Sequence, residues 1–130
     1  MISYLYLILF PEEYSKGNRY FYIGMRTANV DIPQHDEEYI SSSKHVKRMI
    51  LKEKKPYEKI TLFVTKDDYL LRSLEHACIG RYYTNKSINE NIPMNKFTHR
   101  DLKQHTELVF SIIDEFINKS YIESQLVPSK

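Results

Sequence analysis

The sequence has one cysteine, Cys78, and no tryptophan in 130 residues. A single thiol excludes an internal disulfide and any multi-cysteine zinc site, and it fits a reducing compartment such as the cytoplasm. Neither a GxGxxG nor a P-loop pattern occurs. No apolar run approaches the roughly 18 residues of a membrane span, so no membrane partner is expected. Residues 1–10 are apolar, but they hold two tyrosines and lack a basic start and a small-residue cleavage site, which makes them a poor signal peptide. Net charge is nearly absent as well, at +2, and that total does not mark a nucleic-acid binder.

What is present describes one globular domain. Hydrophobic residues at 42% and charged residues at 28% rule out wholesale disorder. A chain this long buries roughly two-thirds of its unfolded surface, so it needs no metal or disulfide staple. Eleven tyrosines are an unusual endowment, because each carries both an apolar ring and a hydroxyl.

Residues 2–10 (ISYLYLILF) read as a buried strand stopped by Pro11, and residues 19–25 (RYFYIGM) as a second. Together they predict an antiparallel hairpin with a long loop that bends at Lys16-Gly17-Asn18. A polar loop to about residue 40 carries Asp31, Asp36, Glu37 and Glu38. The serines at 41–43 offer N-caps for a helix to about residue 54. On it Val46, Met49 and Ile50 share one side, and Lys44, Arg48, Lys52 and Lys55 stack on the other. Residues 44–55 hold six basic groups against Glu53, so the nearly neutral total conceals one concentrated basic helix. Residues 59–64 predict a third strand, Thr65 with Asp68 a capping box, and residues 65–82 a helix. Leu70, Leu74, Ala77 and Cys78 form its apolar face, with Glu75 at the edge. An Asn-rich loop precedes a last helix over about 99–119, and the tail from Ser120 is expected to fray. The order β-β-α-β-α plus one helix predicts an α+β fold, a small antiparallel or mixed three-stranded sheet flanked by helices.

Tyr4-Leu5-Tyr6 on the first strand and Tyr22-Ile23-Gly24 on the second form a hairpin that resembles the GIY-YIG nucleases, most closely phage-borne free-standing ones. In those, a polar loop, a Tyr-x-Gly-Ser-Gly-Lys-like turn and a basic helix follow. Here the turn reads Tyr39-Ile40-Ser41-Ser42-Ser43-Lys44. The resemblance covers about residues 2–95. It implies a nuclease domain over 1–97, with residues 98–130 a helix and tail packed on that domain or at a homodimer surface.

The resemblance further implies a DNA endonuclease using one Mg²⁺ (or Mn²⁺), in a bacterial host cell if phage-encoded. Glu75, in Leu74-Glu75-His76-Ala77, takes the metal slot, and Mg²⁺ needs only one or two carboxylates because it keeps most of its waters. Tyr6 would accept or relay the proton of the attacking water, given cations that lower its ordinary value of about 10. Tyr22 would hold the water or a phosphate oxygen. Lys44, Arg48 and Arg26 are the candidates to neutralise the scissile phosphate. Lys47, Lys52 and Lys55 would make non-specific phosphate contacts. Gly24 would permit close packing beside the site. Asn91 is the first candidate for the asparagine that closes the family's module, with Asn89 close behind.

On residue types alone, Tyr4, Tyr6 and Tyr22 are equally a cross-strand aromatic cluster and Glu75 a solvated carboxylate. The five histidines form no metal pattern, and Cys78 reads as buried and inert. A second reading is a nuclease-like scaffold without turnover that binds nucleic acid or a protein. Tyr4 where GIY has glycine, Lys44 where arginine is usual, and the acidic loop motivate it.

Overall fold

Every residue of β1, Ile2–Leu9, is buried. A strand loses its polar-apolar alternation in this way when it is central and covered on both faces. β1 lies between β2 (Phe21–Ala28) and β3 (Glu58–Thr65) and pairs antiparallel with each. The fold is α+β, with one antiparallel sheet and helices on both faces. The structure is a computed structural model that describes residues 1–90 and 99–126. Among the described residues no helix is long and apolar enough to cross a membrane.

Alternation along β1 divides the core. Leu5, Leu7 and Leu9 point to one face with Phe21 and Ile23, and meet Leu70, Leu71, Leu74 and Cys78 of α3 (Asp68–Tyr82). Val109 and Ile113 of α4 (Leu102–Leu126) complete that side, so the C-terminal helix lays its apolar stripe on this domain. Tyr4, Tyr6 and Ile8 point the other way. They meet Val46, Met49 and Ile50 of the basic helix, with Tyr22, Tyr39 and Ile40 at the margin. Between Leu5, opposite Phe63, and Tyr6, opposite Thr61, the β1–β3 register slips by one residue. Such bulges re-aim side chains, and this one falls beside Tyr6.

Several boundaries differ from the sequence expectation. The hairpin loop contains a short helix, α1 (Pro11–Ser15), because Pro11 at its start has the helical φ already set. The bend does fall at Gly17, whose φ of 75° is left-handed. The basic helix begins as expected, with the Ser43 hydroxyl accepting from Val46 N–H at 3.2 Å, but only Lys44–Lys47 (α2) is α-helical. Arg48–Lys52 widens into a π-turn, in which Glu53 N–H donates to Arg48 C=O at 3.0 Å. Lys54 then ends it in the left-handed region, with φ of 54°. The stripe drawn through Lys55 is therefore not continuous. Asp67, not Thr65, caps α3, accepting from Leu70 N–H at 3.0 Å, while Thr65 accepts from Asp67 N–H. Helix α4 continues past Ser120 to Leu126 instead of fraying.

The outer edge of β2 is capped piecemeal. Ile88 N–H donates to Phe21 C=O at 2.8 Å. The Asn89 side chain both accepts from Ile23 N–H at 3.0 Å and donates to Ile23 C=O at 2.8 Å. Buried Asn89 thus stands in for a missing strand at one residue.

Candidate active site

Tyr6 and Gly24 are direct cross-strand partners, and Ile8 faces Tyr22 in the same ladder. A Cβ at Gly24 would lie 2.5 Å from the Tyr6 hydroxyl oxygen, 2.6 Å from its Cζ and 2.8 Å from Tyr22 Cε2. The missing side chain lets the fully buried Tyr6 phenol lie across β2 instead of standing up from the sheet. The Tyr6 ring centroid is then 6.2 Å from Tyr4 and from Tyr22, and 6.0 Å from Tyr39.

The turn before α2 closes over these rings. Tyr6 Oη is 3.2 Å from both Tyr39 Oη and buried Ser41 Oγ, and Tyr22 Oη is 3.3 Å from Ser42 Oγ. Lys59 anchors the turn from β3, donating to the carbonyls of Tyr39 and Ile40 at 3.2 and 3.3 Å. Its ammonium lies 4.7 Å from the Tyr6 ring centroid and 4.8 Å from that of Tyr39, in cation–π range. Burial pushes the Lys59 ammonium below its ordinary value.

Burial likewise raises the Tyr22 phenol above its usual value and the Tyr6 phenol well above it. Burial is the largest cause at both, so the net shift is upward, contrary to the sequence expectation that adjacent cations lower them. The negative charge of Glu75 adds to the rise at Tyr22, so the α3 carboxylate lies within electrostatic reach of a phenol on the opposite face of the sheet. The Met25 backbone amide of β2 also favours the Glu75 carboxylate, so the carboxyl lies near that strand. Burial pushes the Glu75 carboxyl up to about 7, against the pull of Arg72 and of that amide.

A cleft of about 390 Å³ lies beside Tyr22, walled by Lys44, His45, Asn89 and Glu90. Lys44 is therefore the predicted cation that shares a cavity with a predicted tyrosine. The other two are paired with acids. Arg26 Nε donates to Asp36 at 3.2 Å, and its guanidinium lies 4.2 Å over the Tyr39 ring. Arg48 is exposed, 3.3 Å from the Glu53 carboxylate and 3.3 Å from His45 Nδ1. Lys55 pairs with buried Glu13 at 2.6 Å, which removes it from the phosphate-contact set. Lys47 and Lys52 point to solvent. Asn91 lies outside the described residues.

Tyr39, Lys59 and Asp36 were missed in the sequence reading. Asp36 accepts from Tyr4 Oη at 2.7 Å as well as from Arg26, so one acid of the loop expected to repel DNA is neutralised within the site. Burial opposes its ionisation, but those two partners hold the Asp36 carboxyl below the usual carboxylate range. Tyr39 could have been found, since it opens the turn that carries the resemblance. Lys59 had no signal beyond its place in a strand.

Compared with known protein families, curated proteins and solved structures, the chain has no match.

Among the described residues no group of three or more His, Cys, Asp or Glu could hold a metal ion. An ion here would rest on Glu75 with water and substrate oxygens, which suits Mg²⁺ rather than zinc. The donor fits that task, because a carboxyl raised to about 7 by burial gains its ionised form when a divalent cation joins it.

Proposed function

We propose that this chain is a metal-dependent endonuclease that hydrolyses DNA phosphodiester bonds by a GIY-YIG-type mechanism. One observation carries the reading. Tyr6 and Tyr22 share a sheet face around Gly24, and the charge of Glu75 on α3 is felt at the Tyr22 phenol.

Mg²⁺ or Mn²⁺ held by Glu75 would act as a Lewis acid on the departing 3′-oxygen. Lys44 supplies positive charge to the scissile phosphate from the cleft it shares with Tyr22. Tyr22 orients the water or a phosphate oxygen. Tyr6 takes the proton of the attacking water. Its raised value argues against a standing phenolate. A relay suits it better: Tyr6 Oη accepts the water's proton as its own passes to Tyr39 Oη, 3.2 Å away, and the half-buried Tyr39 hydroxyl releases its proton to solvent. Gly24 and Lys59 act through Tyr6 and the 39–41 turn, as positioning residues.

The same raised phenols favour a second reading, a scaffold that binds nucleic acid or a protein without turnover. Incubation with supercoiled plasmid and Mg²⁺, with and without chelator, separates the two. Chelator-sensitive nicking supports the enzyme. DNA that is retarded but uncut supports the binder, and neither effect points to a protein partner.

A further inference from the structure

The cleft beside Tyr22 does not end there. A second depression of about 560 Å³ shares Asn89 and Glu90 with it and adds Arg19 and Tyr83. A third, of about 990 Å³, shares Thr84 with the second and opens between α1, the end of α3 and α4. The loop of residues 84–90, which caps the outer edge of β2, walls all three, so they lie side by side along that edge from the candidate site.

The track has two chemical features. It is aromatic: Tyr14, Tyr82 and Tyr121 line the large cleft, and exposed Tyr83 stands between it and Tyr22. It is also net positive, with Arg19, Lys44, Arg81 and Lys86 against Glu90 and Asp114. Asp114 keeps its charge while accepting from Tyr82 Oη at 2.7 Å, and Lys86 donates to the Gly17 carbonyl. Arg81 lies 4.5 Å over the Phe110 ring, which fixes its charge at the rim.

Tyrosine rings spaced between cations match a single strand, whose bases are free to stack while its phosphates meet the charges. A duplex keeps its bases stacked on one another and would offer these rings only its backbone. We propose that the track binds a single-stranded segment of nucleic acid leading into the candidate site. This names the substrate class, nucleic acid with an unpaired strand beside the cut, and it rests on the nuclease reading for the position of the cut.

The test is fluorescence anisotropy with the wild-type chain in chelator, where binding is read without cleavage. The probes are labelled oligo(dT), oligo(rU) and a DNA duplex, each of about 15 nucleotides, near the upper single-strand site size. Oligo(dT) is expected to bind about ten-fold or more tightly than the duplex. Tyr83→Ala and Tyr121→Ala, both at exposed positions, should each weaken oligo(dT) by about five-fold or more, the lower bound set by one base–ring stack. Arg81→Ala is a third variant and should flatten the salt dependence of oligo(dT) binding, with its loss relative to wild type largest at low salt; an unchanged slope counts against the track. Tighter oligo(rU) binding with the same losses keeps the track and makes RNA its occupant. Equal or tighter duplex binding, or tyrosine variants that hold oligo(dT) like wild type, overturns the track. Plasmid nicking is scored separately, so either result leaves the nuclease reading to stand or fall by itself.

Discussion

The Tyr6 phenol occupies the space that a side chain at Gly24 would fill, with its hydroxyl oxygen 2.5 Å from the position of a Cβ there. Alanine in a strand interior ordinarily gains up to about 1 kcal/mol over glycine. Here crowding decides the sign, because Tyr6 is fully buried and has nowhere to swing. Gly24→Ala should lower stability in urea denaturation by about 1–3 kcal/mol, the usual cost of overpacking. In a Tyr6→Leu background the same change should cost less. A Gly24→Ala protein as stable as wild type would mean that the phenol does not lie across β2.

Glu75 makes stability fall with pH. Its carboxyl titrates at about 7 when folded, against an ordinary 4.5. Between those values the folded chain holds a proton that the unfolded chain has released. The Glu75 contribution to stability therefore declines as pH rises from about 4.5 to about 7 and is level above, a total of about 3 kcal/mol. Glu75→Gln should be more stable than wild type at about pH 8 and no more stable at about pH 4.5. Parallel denaturation curves across that range would show Glu75 to be solvated and unsuited to its proposed role.

Asn89 should matter to the sheet edge more than its loop position suggests. Asn89→Ala leaves both Ile23 N–H and Ile23 C=O without their partner. A loss of roughly 2 kcal/mol or more is expected, together with faster amide exchange at Ile23. Unchanged exchange there would place the edge contact elsewhere.

Of the three candidate cations, Lys44 should carry the phosphate. Lys44→Ala should slow nicking by about ten-fold or more, while Arg48→Ala, whose partner is Glu53, should change it little. Lys55→Ala should lower the denaturation midpoint, since it strands buried Glu13, and leave nicking nearly intact. The reverse order of Lys44 and Arg48 in a nicking assay would move the phosphate to the outer face of the helix.

The hairpin, the third strand and α3 were legible because each has a strong local pattern: β-branched and aromatic runs, or apolar residues at helical spacing. The π-turn at Arg48–Lys52 was not, since one residue of widening leaves no mark on a four-residue pattern. A loop sequence does not say which asparagine meets a strand edge, as Asn89 does at Ile23. For the candidate site, the motif order pointed to Tyr6, Tyr22, Gly24, Lys44 and Glu75, and the fold puts Tyr6, Tyr22 and Gly24 in one cluster. The partners that set their electrostatics were not legible. Tyr39, Lys59 and Asp36 come from three separate segments, and the chain's closure alone brings them to Tyr4 and Tyr6.

The most direct measurement is the initial rate of supercoiled-plasmid nicking at saturating Mg²⁺ by wild type and by Glu75→Ala, with DNA retardation measured on both proteins. Wild type should nick, and the variant should nick at least about a hundred-fold more slowly while retarding DNA equally. Equal nicking rates in the two purified proteins would contradict the account.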